Sequence, residues 1–269
     1  MNRNFELLQQ LQRKLESVPM MGQVGCVAVI RNKKNHSTRI VHFDPNCPTP
    51  EEVRKLVENI FLSQGRSAPH LVAFAGLDSG ACCSRMIARV AATLARTGTL
   101  KVCLVDGYFH SPSLSEFFGF ENPFGLIEAS RLGASILDFT IPVRDGNLSL
   151  LPWGSSEAGV ASRLALDQVK KSLDGLRLKF DYVLVNAPPL DQFADGIAFG
   201  LLADGLVPVF DRSWTELARA LKHLERLRES QVRVCLTVLN YTHFGKTDAN
   251  ASMSSLLYRP FYLQPEQIC

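Results

Sequence analysis

The pattern of apolar positions changes its period near residue 70. Upstream, Phe5, Leu8, Leu11 and Leu15 recur at helical spacing and predict a helix over residues 3–17. Val24–Ile30 is a short β-branched run of strand type, and residues 32–50 are polar and irregular. Thr49-Pro50-Glu51-Glu52 supplies an N-cap hydroxyl, a proline at the first helical position and a glutamate in the first turn. That combination starts a helix, which runs to Leu62. From Leu71 onward, continuous apolar runs alternate with helical patterns. The runs are Leu71–Ala75, Val102–Val105, Leu148–Leu151, Tyr182–Val185, Leu206–Phe210 and Val232–Leu239. Helices are expected over 82–96, 161–176, 193–202 and 213–229, the last opening on the capping box Ser213–Glu216.

Continuous apolar runs suit strands covered on both faces. Strand–helix alternation builds right-handed crossovers, and so an α/β fold with a doubly wound, mostly parallel sheet flanked by helices. Residues 1–50 are expected to form an N-terminal extension, 51–245 the α/β domain and 246–269 a tail. Ligands of such sheets bind at the carboxyl ends of the strands.

Composition narrows the classes without choosing among them. The chain has 269 residues, 46% of them hydrophobic and 20% charged, enough to bury a core without staples. The net charge of +3 gives no electrostatic reason to expect nucleic acid as a partner. No apolar run is long enough for a membrane span, and the N-terminus lacks the apolar centre of a signal peptide. The 7 cysteines form no zinc-like pairs with histidines, so reduced thiols in the cytoplasm are expected, and no metal site.

Candidate chemistry sits after the first run of the main domain. Gly76, Asp78, Ser79, Gly80, Ala81, Cys82 and Cys83 occupy the strand-to-helix turn where a phosphate-binding loop belongs. Such a loop curls backbone N–H groups round phosphates at the positive end of a helix. It also needs a lysine for the β/γ-phosphates and a Ser/Thr for magnesium. Here those two places hold Ala81 and Cys82.

The segments that follow carry a resemblance. Val102–Asp106 leads into Gly-Tyr-Phe-His-Ser-Pro-Ser-Leu114. Asn147–Gly154 reads NLSLLPWG, Asp181–Pro189 reads DYVLVNAPP, and Ala203-Asp204-Gly205 opens another apolar run. In this order they resemble the bacterial tyrosine kinases of exopolysaccharide synthesis. These are a branch of the deviant-Walker P-loop ATPases that includes the septum-site and partitioning ATPases. The resemblance covers residues 51–240. It implies a P-loop NTPase-like fold, an ATP–magnesium site and a membrane polysaccharide co-polymerase as partner. It also implies ring assembly through the helix carrying Glu51 and Arg54, although the second arginine of that pattern is Val57.

Residue by residue, the family's chemistry is missing. The lysine is Ala81, the magnesium Ser/Thr is Cys82, and the second Walker segment (Asn186, Pro188, Pro189) has Asn186 for its aspartate. Asp106 is retained, but the next acidic position is Tyr108. Phosphoryl transfer is nearly all positioning and charge neutralisation, so these losses together leave little catalysis. Arg85 is the nearest substitute cation. The tail offers only Tyr241, Tyr258 and Tyr262 in place of a phosphorylated tyrosine cluster. Trp153 and Trp214 are read as packing residues.

Three expectations follow. The first is a pseudo-kinase or pseudo-ATPase that scaffolds polysaccharide synthesis or export, with no cofactor needed. Its partner would be a co-polymerase or an intact-loop paralogue, at the inner face of the membrane. The second is an active tyrosine autokinase with altered nucleotide-binding residues. The third is a positional protein of the septum-site or pilus-localisation type. Backbone N–H groups and the helix dipole survive the loss of the lysine, so weak ATP or ADP binding with magnesium stays physically open, as does a homo-oligomer.

Overall fold

A computed structural model describes residues 27–31, 39–41, 50–62, 68–77, 82–120, 124–143, 147–154, 166–192, 194–211 and 214–240. The expected helix over 3–17 and the tail tyrosines lie outside the described residues. The main-domain strands are β3 Leu71–Gly76, β4 Val102–Asp106, β6 Leu148–Leu151, β7 Tyr182–Ala187, β8 Gly205–Asp211 and β9 Leu236–Asn240. All of these pair in parallel, and β3 lies between β7 and β8. Two-residue β5 (Ile141–Pro142) pairs antiparallel with β6 at one edge. At the other edge β1 (Val27–Arg31) pairs antiparallel with β9, and β2 (Arg39–Val41) with β1. Among the described residues the sheet has 9 strands.

Helix α1 (Pro50–Val57) starts at the predicted proline and winds into a π turn over Glu58–Leu62. Helix α2 (Cys82–Arg96) follows β3, α5 (Leu166–Arg177) precedes β7, α6 (Asp195–Leu202) follows it, and α7 (Trp214–Glu229) precedes β9. Short helices α3 (Leu114–Phe117) and α4 (Leu126–Leu132) sit between β4 and β5.

The sheet sorts its side chains by parity, as the pleat demands. Val72 and Phe74 of β3, with Leu104 of β4 and Leu184 of β7, pack under α1 and α2. Leu71, Ala73 and Ala75, with Val105, Val183 and Val185, pack under α4 to α7. The central strands are therefore apolar throughout because both faces are covered.

The lower end of the sheet is tied by carboxylates. Asp204 receives two bonds from the Arg177 guanidinium at 2.8 Å each, and the N–H of Leu71 at 2.8 Å. Asp181 accepts the Lys101 N–H at 2.7 Å. These groups fix strand ends opposite to the candidate site. Asp204, part of the segment that carried the resemblance, is thus a structural clamp in this fold.

Candidate functional site

The carboxyl ends of β4 and β7 bring together the retained Asp106 and Asn186, which stands in the aspartate's place in the second Walker segment. Parallel register sets Asp106 directly beside Asn186. Both are buried, as is Ser84 in the first turn of α2. Asn186 Nδ2 donates to Asp106 Oδ1 at 3.2 Å and to Ser84 Oγ at 3.1 Å. An ionised carboxylate only accepts, and the amide nitrogen is the atom turned toward Asp106.

Asp106 also gathers the chain that follows it. Its Oδ2 accepts the N–H groups of Ser113 and Leu114, each at 3.0 Å, and its Oδ1 accepts Tyr108 N–H at 3.4 Å. The Gly107 N–H donates to the Asn186 carbonyl at 2.9 Å, closing the turn onto β7. Burial pushes the Asp106 carboxyl above the usual carboxylate range, against the pull of these hydrogen bonds.

Gly76 ends β3, and its carbonyl accepts the Leu190 N–H at 3.0 Å. Pro188 and Pro189 are buried just beyond β7. Asp78, Ser79, Gly80 and Ala81 lie outside the described residues, as does the Cys82 side chain. Cys83 is buried against the core under α1 and α2. Arg85 is exposed on α2. Arg54 is exposed on α1 and forms an ion pair with Glu58 one turn on; the Glu51 side chain lies outside the described residues.

Two groups escaped the sequence reading. Ser84 is one residue beyond the quoted loop and looks like an ordinary helix serine. Asp191 accepts hydrogen bonds from Arg219 and, at 3.0 Å, from His223 Nε2 on α7, while its own N–H donates to Leu77 O at 3.0 Å. This cluster ties α7 to the strand end where the phosphate loop begins. The spacing of Arg219 and His223 (i, i+4) puts both on one helix face, but nothing local points to Asp191.

Beside the site, Trp153 is buried with its ring 5.1 Å from that of Phe109. Its segment docks on α4: Leu126 N–H meets Pro152 O and Ile127 N–H meets Trp153 O, each at 3.0 Å.

No protein-family model matches the chain. Curated proteins do. The tyrosine-protein kinase YwqD of Bacillus subtilis is 24% identical over 80% of this chain and 92% of its own length. The succinoglycan biosynthesis transport protein ExoP of Rhizobium meliloti is 31% identical over 78% of this chain, which spans 27% of that longer protein. The chain is a relative of the bacterial tyrosine kinases. Solved structures agree on the fold. The kinase domain of the Escherichia coli tyrosine kinase ETK matches with a TM-score of 0.65 and 17% identity, over 80% of this chain and 86% of that one. The MinD cell division protein of Aquifex aeolicus matches at 0.54 and 18%, over 63% and 68%. The fold is that of the P-loop NTPases. No helix among the described residues is long and apolar enough to cross a membrane.

Among the described residues the site's donor set does not fit a magnesium ion. Such an ion takes oxygen ligands in a tight octahedron, typically one or two carboxylates with waters and phosphates. Here the residue beside Asp106 is neutral and turns N–H toward it.

Proposed function

We propose that this chain is a non-catalytic member of the tyrosine-kinase group, acting as an interaction or scaffold subunit in polysaccharide synthesis or export. The observation that carries the reading is the contact between Asn186 Nδ2 and Asp106. The place of a magnesium-organising carboxylate is taken by an amide that spends both its hydrogens inside the protein. Ala81 and Cys82, in the places of the family's lysine and hydroxyl, support the same reading from sequence. Losing one such electrostatic group typically costs a hundredfold or more, about 3 kcal/mol of transition-state stabilisation, and here several are gone together. The polysaccharide role leans on the similarity to the succinoglycan biosynthesis transport protein ExoP. A membrane co-polymerase or an intact-loop paralogue is the partner class this implies, at the cytoplasmic face of the membrane.

The test is ATP and ADP binding by calorimetry on the purified chain, with and without magnesium. An Ala81→Lys, Cys82→Ser, Asn186→Asp triple variant is the positive control. No binding by the native chain with a gain in the variant is the expected result. Micromolar, magnesium-dependent binding with phosphate release by the native chain would overturn the reading in favour of an active autokinase.

A further inference from the structure

We propose that the Asn186 amide takes the structural place of a divalent cation: it holds Asp106 where that carboxylate organises residues 107–117, so this end of the sheet is set without metal or nucleotide. The inference rests on the non-catalytic reading above and deepens it.

A carboxylate offers about four lone-pair directions. Among the described residues Asp106 meets four N–H donors, from Tyr108, Ser113, Leu114 and Asn186. Each of its oxygens takes two. The protein's own donors thus face both oxygens, and the side chain is fully buried. The three backbone donors come from the chain just beyond β4. They wind that segment round the carboxylate and start α3 at Leu114, whose side chain is buried under α1 and α2.

The fourth donor decides whether the arrangement stands alone. Register fixes residue 186 beside Asp106. A carboxylate there would be a like charge within hydrogen-bond range, a pair that cannot stay ionised without a cation between its members. The amide is close in shape to a carboxylate and reverses the interaction: it supplies N–H where the cation would supply charge. Ser84 Oγ, accepting the second Nδ2 hydrogen, locks the orientation and links the pair to the first turn of α2. Three elements are thereby joined by one neutral side chain.

The experiment reads the native chain first. Amide hydrogen exchange of Ser113 and Leu114 is followed by NMR in EDTA and in millimolar magnesium, without nucleotide. Strong protection that agrees within about twofold between the two conditions is expected. Protection that is lost in EDTA and rises about tenfold or more with magnesium would overturn the proposal. Asn186→Asp adds a second readout: its melting temperature should fall below that of the native chain in EDTA and recover with magnesium. Equal melting of the two proteins in EDTA would also count against the proposal. Phosphate release by a native chain whose protection ignores magnesium would sink the non-catalytic reading alone. Magnesium-dependent protection without turnover would sink this inference alone.

Discussion

Asn186 and Asp106 stand side by side on neighbouring parallel strands, and the amide of one donates to the carboxylate of the other at 3.2 Å. The resemblance to the tyrosine kinases implies a carboxylate in the place of Asn186. Here the contact is a hydrogen bond between two buried groups. A buried acceptor that loses its donor bears the full desolvation cost, about 1–3 kcal/mol. Asn186→Leu is therefore expected to destabilise the fold by that amount or more, read by urea unfolding. A loss under about 0.5 kcal/mol would show that the network is not holding the strand ends.

Arg177 and Asp204 make the other strong polar tie, at the opposite end of the sheet. Burial alone would raise the Asp204 pKa, but the bonds from Arg177 and from the N–H groups of Leu71 and His70 outweigh it and hold the carboxyl below the usual range. Asp204→Asn keeps the shape and loses the charge-assisted fork. It should cost about 1–2 kcal/mol, discounted because the pair is partly exposed. Nucleotide or partner binding should not change. A large functional defect in a stable Asp204→Asn protein would contradict the clamp.

Asp191 gives a pH prediction. The hydrogen bonds from Arg219 and His223 hold its carboxyl below the ordinary carboxylate range. A group depressed in the folded state contributes stability above its unfolded value, near about 3.9, and the contribution is lost as pH falls through the lower folded value. Unfolding free energies measured across the acid range should therefore fall less steeply for Asp191→Asn than for the native chain. The difference will be small, since the Asp191 side chain is 36% exposed. Superimposable curves would remove the cluster from the account of how α7 is tied to Leu77.

Trp153 separates packing from hydrogen bonding. Its ring is buried beside Phe109, and among the described residues its Nε1 has no hydrogen-bond partner. Trp153→Ala should cost about 3–5 kcal/mol through the cavity it leaves. Trp153→Phe loses volume but no hydrogen bond and should cost much less. Similar losses in both variants, by thermal or urea unfolding, would point to a polar role for the indole.

Gly154 tests the docking of this segment on α4. Its φ of 109° is in the left-handed region, and a Cβ there would stand 2.1 Å from Glu128 Oε2. That oxygen accepts the Gly125 N–H at 2.7 Å. Gly154→Ala must strain the backbone and displace Glu128 together, an expected loss of about 1–3 kcal/mol. An unchanged melting temperature would show that the 147–154 segment is free to shift.

What the sequence determined by itself was the alternation and therefore the sheet. The run Leu148–Leu151 is strand β6 residue for residue, and α2 covers 82–96 as its spacing predicts. Hydrophobic period is a local signal, and strands buried on both faces write it plainly in Val, Leu and Ala. The order of motif segments identified the relatives, and the identity of residue 186 showed that the usual carboxylate was gone. Short elements such as β2, β5 and α4 left no such signal, because two to seven residues carry too little pattern to rise above loop. Tertiary structure alone decided what Asn186 does. Its partner is eighty positions away in the chain, brought alongside by parallel register, and the serine that completes the contact comes from a different helix. Hydrogen bonds between distant residues depend on positions set to a fraction of an ångström, and a linear pattern of polar and apolar residues does not record those positions.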